Sequence, residues 1–254
     1  MQKLILSGCN GHMGRVVEAL CETDPELSVV AGFDILGSTE KEYPVFASPI
    51  QFSGDADAVI DFSSPAALSG LLEFAVARKI PLVLATTGYT TEQIAAVQEA
   101  SRHVAIFRSA NMSLGINVLL DLVKRAAAVL GKRYDIEIIE RHHNRKVDAP
   151  SGTALMIADA AKSALPYEPH YVFDRSQVRA PRDHREIGIS SVRGGTIVGE
   201  HEILFAGHDE VIEIKHSAMS REIFANGAIQ AAKFIASVSE PGLYDMSALI
   251  DALF

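Results

Sequence analysis

Cysteine is scarce in this chain: Cys9 and Cys21 are the only two among 254 residues. They lie too far apart in sequence for a CxxC metal or redox motif, and they imply neither a disulfide framework nor an oxidising compartment. Positive charge is also in short supply, with 23 Lys and Arg against 32 Asp and Glu and a formal net charge of −9. A net acidic chain is poorly suited to tracking phosphate backbones or anionic lipid, so nucleic acid and membrane are not expected partners. Any anionic substrate must then be held by a local basic cluster. No apolar stretch reaches the roughly 20 residues that span a bilayer. A strand-like run begins at Lys3 and leaves no room for a secretory leader, so the expected location is cytoplasmic. Internal repeats and low-complexity segments are missing too. What remains is 48% hydrophobic and 22% charged, the balance of a globular chain with a sizeable core.

Short apolar strands alternate with helical patterns along the first half. Lys3–Ser7, Leu27–Phe33, Asp57–Phe62, Ile80–Ala85 and Val104–Phe107 read as strands. Pro65 opens a helix, and Thr90 with Gln93 has the spacing of a capping box. This alternation indicates an α/β fold with a doubly wound parallel sheet. After about Asn111 the grammar changes. Leu114–Leu130 is one long amphipathic helix with Gly131 placed to end it, and Thr153–Leu165 is a second, stopped by Pro166. Strand patterns follow, including Thr196–Phe205 and Glu210–His216, as for a mixed or antiparallel sheet open on one side. Tyr167–Arg185, polar and charged, reads as a long loop, and Phe224–Val238 as a final helix. The expected division is a dinucleotide-binding domain of residues 1–112 and 223–254, and a central α+β domain of residues 113–222 for substrate and oligomerisation.

Gly8, Gly11 and Gly14 follow the first strand directly, with Cys9 and Asn10 between the first two and His12 and Met13 before the third. A turn without side chains lets backbone N–H groups approach a pyrophosphate at the positive end of the next helix. Asp34 closes the second strand about 20 residues later, where an acid accepts hydrogen bonds from an adenosine ribose. A tight turn and a surface aspartate would have the same letters, but strand, glycine turn and acid agree in order and spacing. Ala85, Thr86 and Thr87, and Ser109, Ala110, Asn111 and Met112, lie at carboxy ends of strands, where open parallel sheets bind ligands. Taken singly, each is equally an ordinary strand-to-helix turn.

The second signal is EIIERHHNRKVDAPSGTA, residues 137–154. If the chain stays extended, His142 and Lys146 share a face and form a proton-donating, anion-binding pair, with His143 pointing away. Ser151, Gly152 and Thr153 open a helix whose exposed N–H groups and hydroxyls suit a carboxylate. A double histidine also fits a solvated strand end, and SGT a plain helix cap. His142–His143 lacks helical ligand spacing and no third ligand is near in sequence, so no metal is expected.

ERHHNRKVDAPSGTA resembles the signature E-x-H-H-x-x-K-x-D-A-P-S-G-T-A of the dihydrodipicolinate reductase family. The resemblance continues through Arg193–Gly195, Val198–His201, Arg221 and Phe224–Gly227, and covers the glycine turn, Thr86–Gly88 and Ala110–Asn111. It implies a Rossmann-type domain and reduction of 4-hydroxy-tetrahydrodipicolinate to tetrahydrodipicolinate by NADH or NADPH in lysine and diaminopimelate biosynthesis. It also implies His142 and Lys146 as the catalytic acid pair, His143 with Ser151, Gly152 and Thr153 as holders of the small dicarboxylate substrate, and a homotetramer. The chain departs from the family at Ala85, where GTTG is more usual, at His12 and Ile35, where many members carry a cation, and at Arg182–Arg185. With Asp34 and no adjoining cation, NADH is the favoured cofactor. Two rivals are an aspartate- or homoserine-type dehydrogenase, which gives no reason for HHxxK beside SGT, and a non-catalytic dinucleotide sensor, which has no need of acids beside an anion cradle.

Overall fold

The computed structural model describes residues 1–37 and 41–253; the last residue of the expected 223–254 segment lies outside them. The chain divides into two compact units, Met1–Leu114 with Glu222–Phe254, and Gly115–Arg221.

The first unit holds seven strands: β1 (Gln2–Ser7), β2 (Leu27–Phe33), β3 (Val45–Phe46), β4 (Ala58–Asp61), β5 (Leu82–Leu84), β6 (Ala105–Arg108) and β12 (Gly242–Tyr244). They pair in the order β12-β6-β5-β4-β1-β2-β3, every neighbour parallel. From β1 the chain builds outward through β2 and β3, then returns to β1's other side with β4. The loops after β1 and β4 therefore diverge, and a crevice opens between them. Parallel strands buried on both faces need apolar residues at consecutive positions. Leu4 and Leu6 point to one core with α1 (His12–Thr23), α6 (Glu222–Ala236) and α7 (Met246–Asp251). Ile5 points to the other with α2 (Leu68–Arg78) and α3 (Thr91–Ala100). Each fully buried Leu or Ile contributes about 1.5–3 kcal/mol. The α6 face against the sheet is small, with Ala225, Ala228, Ala231 and Ala232 all buried, so the helix can lie close to its strands.

The second unit is a mixed sheet of β7 (Asp135–His142), β8 (His170–Val172), β9 (Glu186–Arg193), β10 (Gly199–Ala206) and β11 (Val211–Ala218), in the order β11-β10-β7-β9-β8. The β10 pairings are antiparallel and the β9 pairings parallel. β7 and β10 alternate between buried and half-buried residues. Ile136, Ile138, Ile203 and Phe205 face a core built with α4 (Leu114–Leu130) and α5 (Gly152–Ala164). The expected α/β class and mixed second sheet are what the chain forms.

Two expectations need correction. Residues 167–185 are not one loop, because β8 lies within them and pairs with β9. The segment is also tied down by Arg182, whose guanidinium reaches Glu137 Oε1 and Asp135 Oδ1 at 3.0 Å and the carbonyls of Ile136 at 2.9 Å and Glu186 at 2.7 Å. A three-residue strand carries too little periodicity to be seen, and a guanidinium anchor leaves no pattern at all. Nor is α6 the last element, since β12 and α7 follow it; three-residue β12 hides for the same reason.

Candidate active site

In the first unit the glycine turn is forced by sterics. Gly8 has φ +78°, and a Cβ there would lie 2.7 Å from the Phe62 carbonyl oxygen in the loop after β4. A Cβ on Gly14 would meet the Gly8 carbonyl oxygen at 2.3 Å. Helix α1 follows at once. Its N-cap is Gly11, which supplies no side-chain acceptor, and its first turn carries no acid. The amides at this end therefore keep a partial positive charge for an anion. The Cys9 side chain is buried in the core and burial pushes its thiol up to about 11, so this residue can meet a ligand only through its backbone. His12 is exposed and Met13 half-buried.

Asp34 follows β2. Its carboxylate accepts the Asn10 amide at 3.2 Å and the Leu36 amide at 3.0 Å, while Asn10 Nδ2 donates to the Gly37 carbonyl at 3.2 Å. Acid and glycine turn are thus one braced structure. A cavity of about 410 Å³ lies beside them, lined by Gly8, Gly11, Asp34, Ile35, Pro49 and Ser63 among others. A second, of about 280 Å³, is lined by Met13, Phe62, Ala85, Thr87, Ser109, Ala110, Asn111, Met112 and Phe224. Thr86 opens onto a third with Ser63 and Thr87. A sheet-end crevice, an uncapped helix start and an acid at the next strand's end suit a dinucleotide.

Sequence reasoning missed Asp61 here. It is fully buried at the end of β4 and accepts hydrogen bonds from the Ser63 hydroxyl at 2.5 Å, Thr86 Oγ1 at 2.7 Å, the Ser63 amide at 3.2 Å and the Tyr89 hydroxyl at 3.3 Å. It joins the loops after β4 and β5. The signal available was a charged residue closing an apolar strand.

In the second unit β7 ends at His142, and the chain does not stay extended. The Lys146 amide donates to the His143 carbonyl at 3.1 Å, and the Asn144 amide to Gly195 at 3.2 Å. The expectation that His142 and Lys146 share a strand face therefore fails, because a turn intervenes. Lys146 Nζ sits 2.8 Å from Asp148 Oδ1. His142 is buried, with Nδ1 2.6 Å from Glu140 Oε2. His143 is half-buried. Its desolvation and the nearby Arg145, Arg221, His142 and Lys146 lower its proton affinity. Ser151 is buried and caps α5, its hydroxyl accepting from the Ala154 amide at 3.1 Å and lying 3.1 Å from His201 Nε2. Gly152 is exposed, a Cβ there would meet nothing within 4 Å, and half-buried Thr153 follows in an acid-free first turn.

Three further residues escaped the sequence. Glu140 is fully buried and is held bidentately by Arg193, with both contacts at 2.7 Å. Burial raises its proton affinity, but the Arg193, His142, Ser191 and Ser151 contacts prevail and hold it at about 2. His201 packs edge-on to His142 with ring centroids 5.3 Å apart, and burial pushes it down to about 4. Period-2 alternation could have found Glu140, because with His142 it extends the buried row of Ile136 and Ile138. Among the described residues, no group of three or more His, Cys, Asp or Glu could hold a metal, and no helix is long and apolar enough to cross a membrane.

A doubly wound parallel sheet with a glycine turn, an acid after the second strand and a separate unit carrying histidines and lysine define a pyridine-nucleotide-dependent oxidoreductase. Models of the dihydrodipicolinate reductase N-terminus and C-terminus match residues 2–112 and 115–250. The chain belongs to the dihydrodipicolinate reductase family. It is 54% identical over 250 residues to a 4-hydroxy-tetrahydrodipicolinate reductase of Caldanaerobacter subterraneus subsp. tengcongensis, covering 98% of each chain. It is 45% identical over 255 residues to that of Clostridium perfringens, covering 100% of each. A dipicolinate-bound dihydrodipicolinate reductase from Paenisporosarcina sp. TG-14 has the same fold, with a TM-score of 0.81 at 23% identity over 96% of this chain and 97% of that one.

Proposed function

We propose that this protein reduces 4-hydroxy-tetrahydrodipicolinate to tetrahydrodipicolinate in the diaminopimelate route to lysine, with NADH favoured over NADPH, as a cytoplasmic homotetramer. The observation that carries the substrate class is the positive charge that Arg145, Arg221 and Lys146 place around His143, beside the acid-free start of α5. So much positive charge in a net acidic chain suits a dianion. Gly152 and Thr153 hold one carboxylate through the helix start, and His143 helps to hold the dicarboxylate. Ser151, committed to its cap and to His201, shapes that turn.

The first unit's crevice takes the dinucleotide: the Gly8–Met13 turn the pyrophosphate, Asp34 the adenosine ribose, and Ala85–Thr87 with Ser109–Met112 the remainder. When bound, the nicotinamide supplies the hydride. The chain's own residues supply the proton and the charge balance. Lys146 is the proton donor. Its partner Asp148 is exposed, and an ion pair open to water is weak enough to yield when a substrate dianion arrives. His142 contributes a second acid beside it. For the adenosine end, Asp34 accepts ribose hydroxyls and repels a 2′-phosphate. Lys41 is already paired with Glu18 and Ile35 is exposed and apolar, while Arg15, just after the glycine turn, is a cation that can offset part of that repulsion.

The test is to mix the protein with NADH and freshly generated product of dihydrodipicolinate synthase and to follow absorbance at the nicotinamide band. Oxidation of NADH that depends on that product is the expected result. Oxidation with aspartate semialdehyde alone, or none with either, overturns the reading.

A further inference from the structure

We propose that Glu140 is the positioning residue of the second unit's site: an acceptor-only carboxylate that sets the tautomer of His142 and holds the Ser151 turn to it. This inference rests on the functional reading above for its kinetic consequences, though not for its geometry. Both carboxylate oxygens are fully engaged. Oε1 accepts Arg193 Nη2 at 2.7 Å and the Ser151 amide at 3.1 Å; Oε2 accepts Arg193 Nη1 at 2.7 Å and faces His142 Nδ1 at 2.6 Å. Arg193 is itself anchored, its Nη2 donating to the Asp148 carbonyl at 2.7 Å. A bidentate guanidinium keeps the carboxylate charged even though no water reaches it.

An ionised carboxylate can only accept, so the hydrogen between it and His142 must sit on Nδ1. That leaves Nε2 bare in the neutral ring and makes it the nitrogen that gains and loses a proton. Space is kept at that nitrogen by Gly199, where a Cβ would lie 3.1 Å from Nε2. The other groups facing this ring do not compete for Nδ1. His201 meets it through a ring edge and spends its own Nε2 on Ser151, and His216 lies beyond, opposite His201 in the β10–β11 register. One carboxylate thus joins the end of β7, the end of β9 and the start of α5, the three places from which the site's side chains project.

Glu140→Gln replaces an acceptor with a group that also donates. The amide cannot satisfy Arg193, the Ser151 amide and an Nδ1–H together. The expected results are a mixed or reversed His142 tautomer in imidazole nitrogen-correlated NMR spectra, a displaced pH profile of kcat/KM, and a 10–100-fold loss in kcat, the scale for removing a group that orients a functional histidine. NADH binding, read by fluorescence titration, should stay as in the parent. Glu140→Asp keeps the charge and should recover part of the loss and the parent tautomer. A merely structural ion pair would lower Tm and leave the tautomer and pH profile alone; that result overturns the inference. Should Glu140→Gln not fold, the parent spectrum decides by itself: Nδ1–H with bare Nε2 supports the placement, and Nε2–H refutes it. A parent without turnover but with Nδ1–H would count against the proposed reaction and not against Glu140.

Discussion

Acid should loosen the second unit in two stages, and His201 should govern the first. This histidine is buried, and its proton affinity is pushed from the ordinary 6.5 down to about 4 by desolvation and by the neighbouring His142. Above pH 6.5 it is neutral whether folded or unfolded and adds no pH dependence. As pH falls below 6.5 the unfolded chain takes up a proton that the folded chain refuses, so stability drops until the folded value is reached near 4. A separation of that size is worth on the order of 3 kcal/mol at the bottom of the window. Glu140 acts lower. Its value is depressed from 4.5 to about 2, so its contribution is intact above 4.5 and is lost as pH falls toward 2. Hydrogen exchange of β10 amides is the assay, because it reads opening of this sheet without requiring the two units to unfold together. Protection should weaken steadily between about pH 6.5 and 4 in the parent. In His201→Gln the same amides should show a clearly shallower decline over that range, whatever their absolute protection, the remainder coming from His143 and His216, whose proton affinities burial also lowers. An equal decline in parent and variant would refute the argument and place the titrating group elsewhere.

The other expectations follow the proposed chemistry. Lys146→Met should lower kcat by on the order of 100-fold or more while leaving NADH affinity intact; steady-state kinetics with a fluorescence titration checks both, and a parent-like kcat removes Lys146 as proton donor. Pyridine-2,6-dicarboxylate should compete with substrate, and Thr153→Val should weaken it by about 1–3 kcal/mol; equal inhibition of parent and variant would move the carboxylate site away from α5. The double change Asp34→Ser, Ile35→Arg should shift kcat/KM toward NADPH, and a parent that already prefers NADPH would show that Arg15 or another residue outweighs Asp34.

Much of the frame was legible one residue at a time. β2 and α4 have the bounds their apolar patterns predict, because a buried strand and an amphipathic helix each repeat one local rule over many residues. The turn from Gly8 to Gly14 was readable for the same reason: its glycines answer to close contacts that lie partly within the turn itself. β8 and β12 were not readable, since three residues show no period and exist as strands only because β9 and β6 offer them an edge.

The site divides along the same line. The sequence alone determined which groups could do chemistry: His142, His143 and Lys146 sit within five positions, followed directly by a turn that opens a helix. It could not determine how they are held. Glu140 and Arg193 are 53 positions apart, and Ser151 and His201 are 50. Asp61 reaches Thr86 across 25 residues to join two loops. Those pairings exist only because β9 and β10 flank β7 and because β5 lies beside β4. A charge or a ring nitrogen acts over a few ångströms of space, so its partner, and with it the tautomer or proton affinity, is chosen when the sheet assembles.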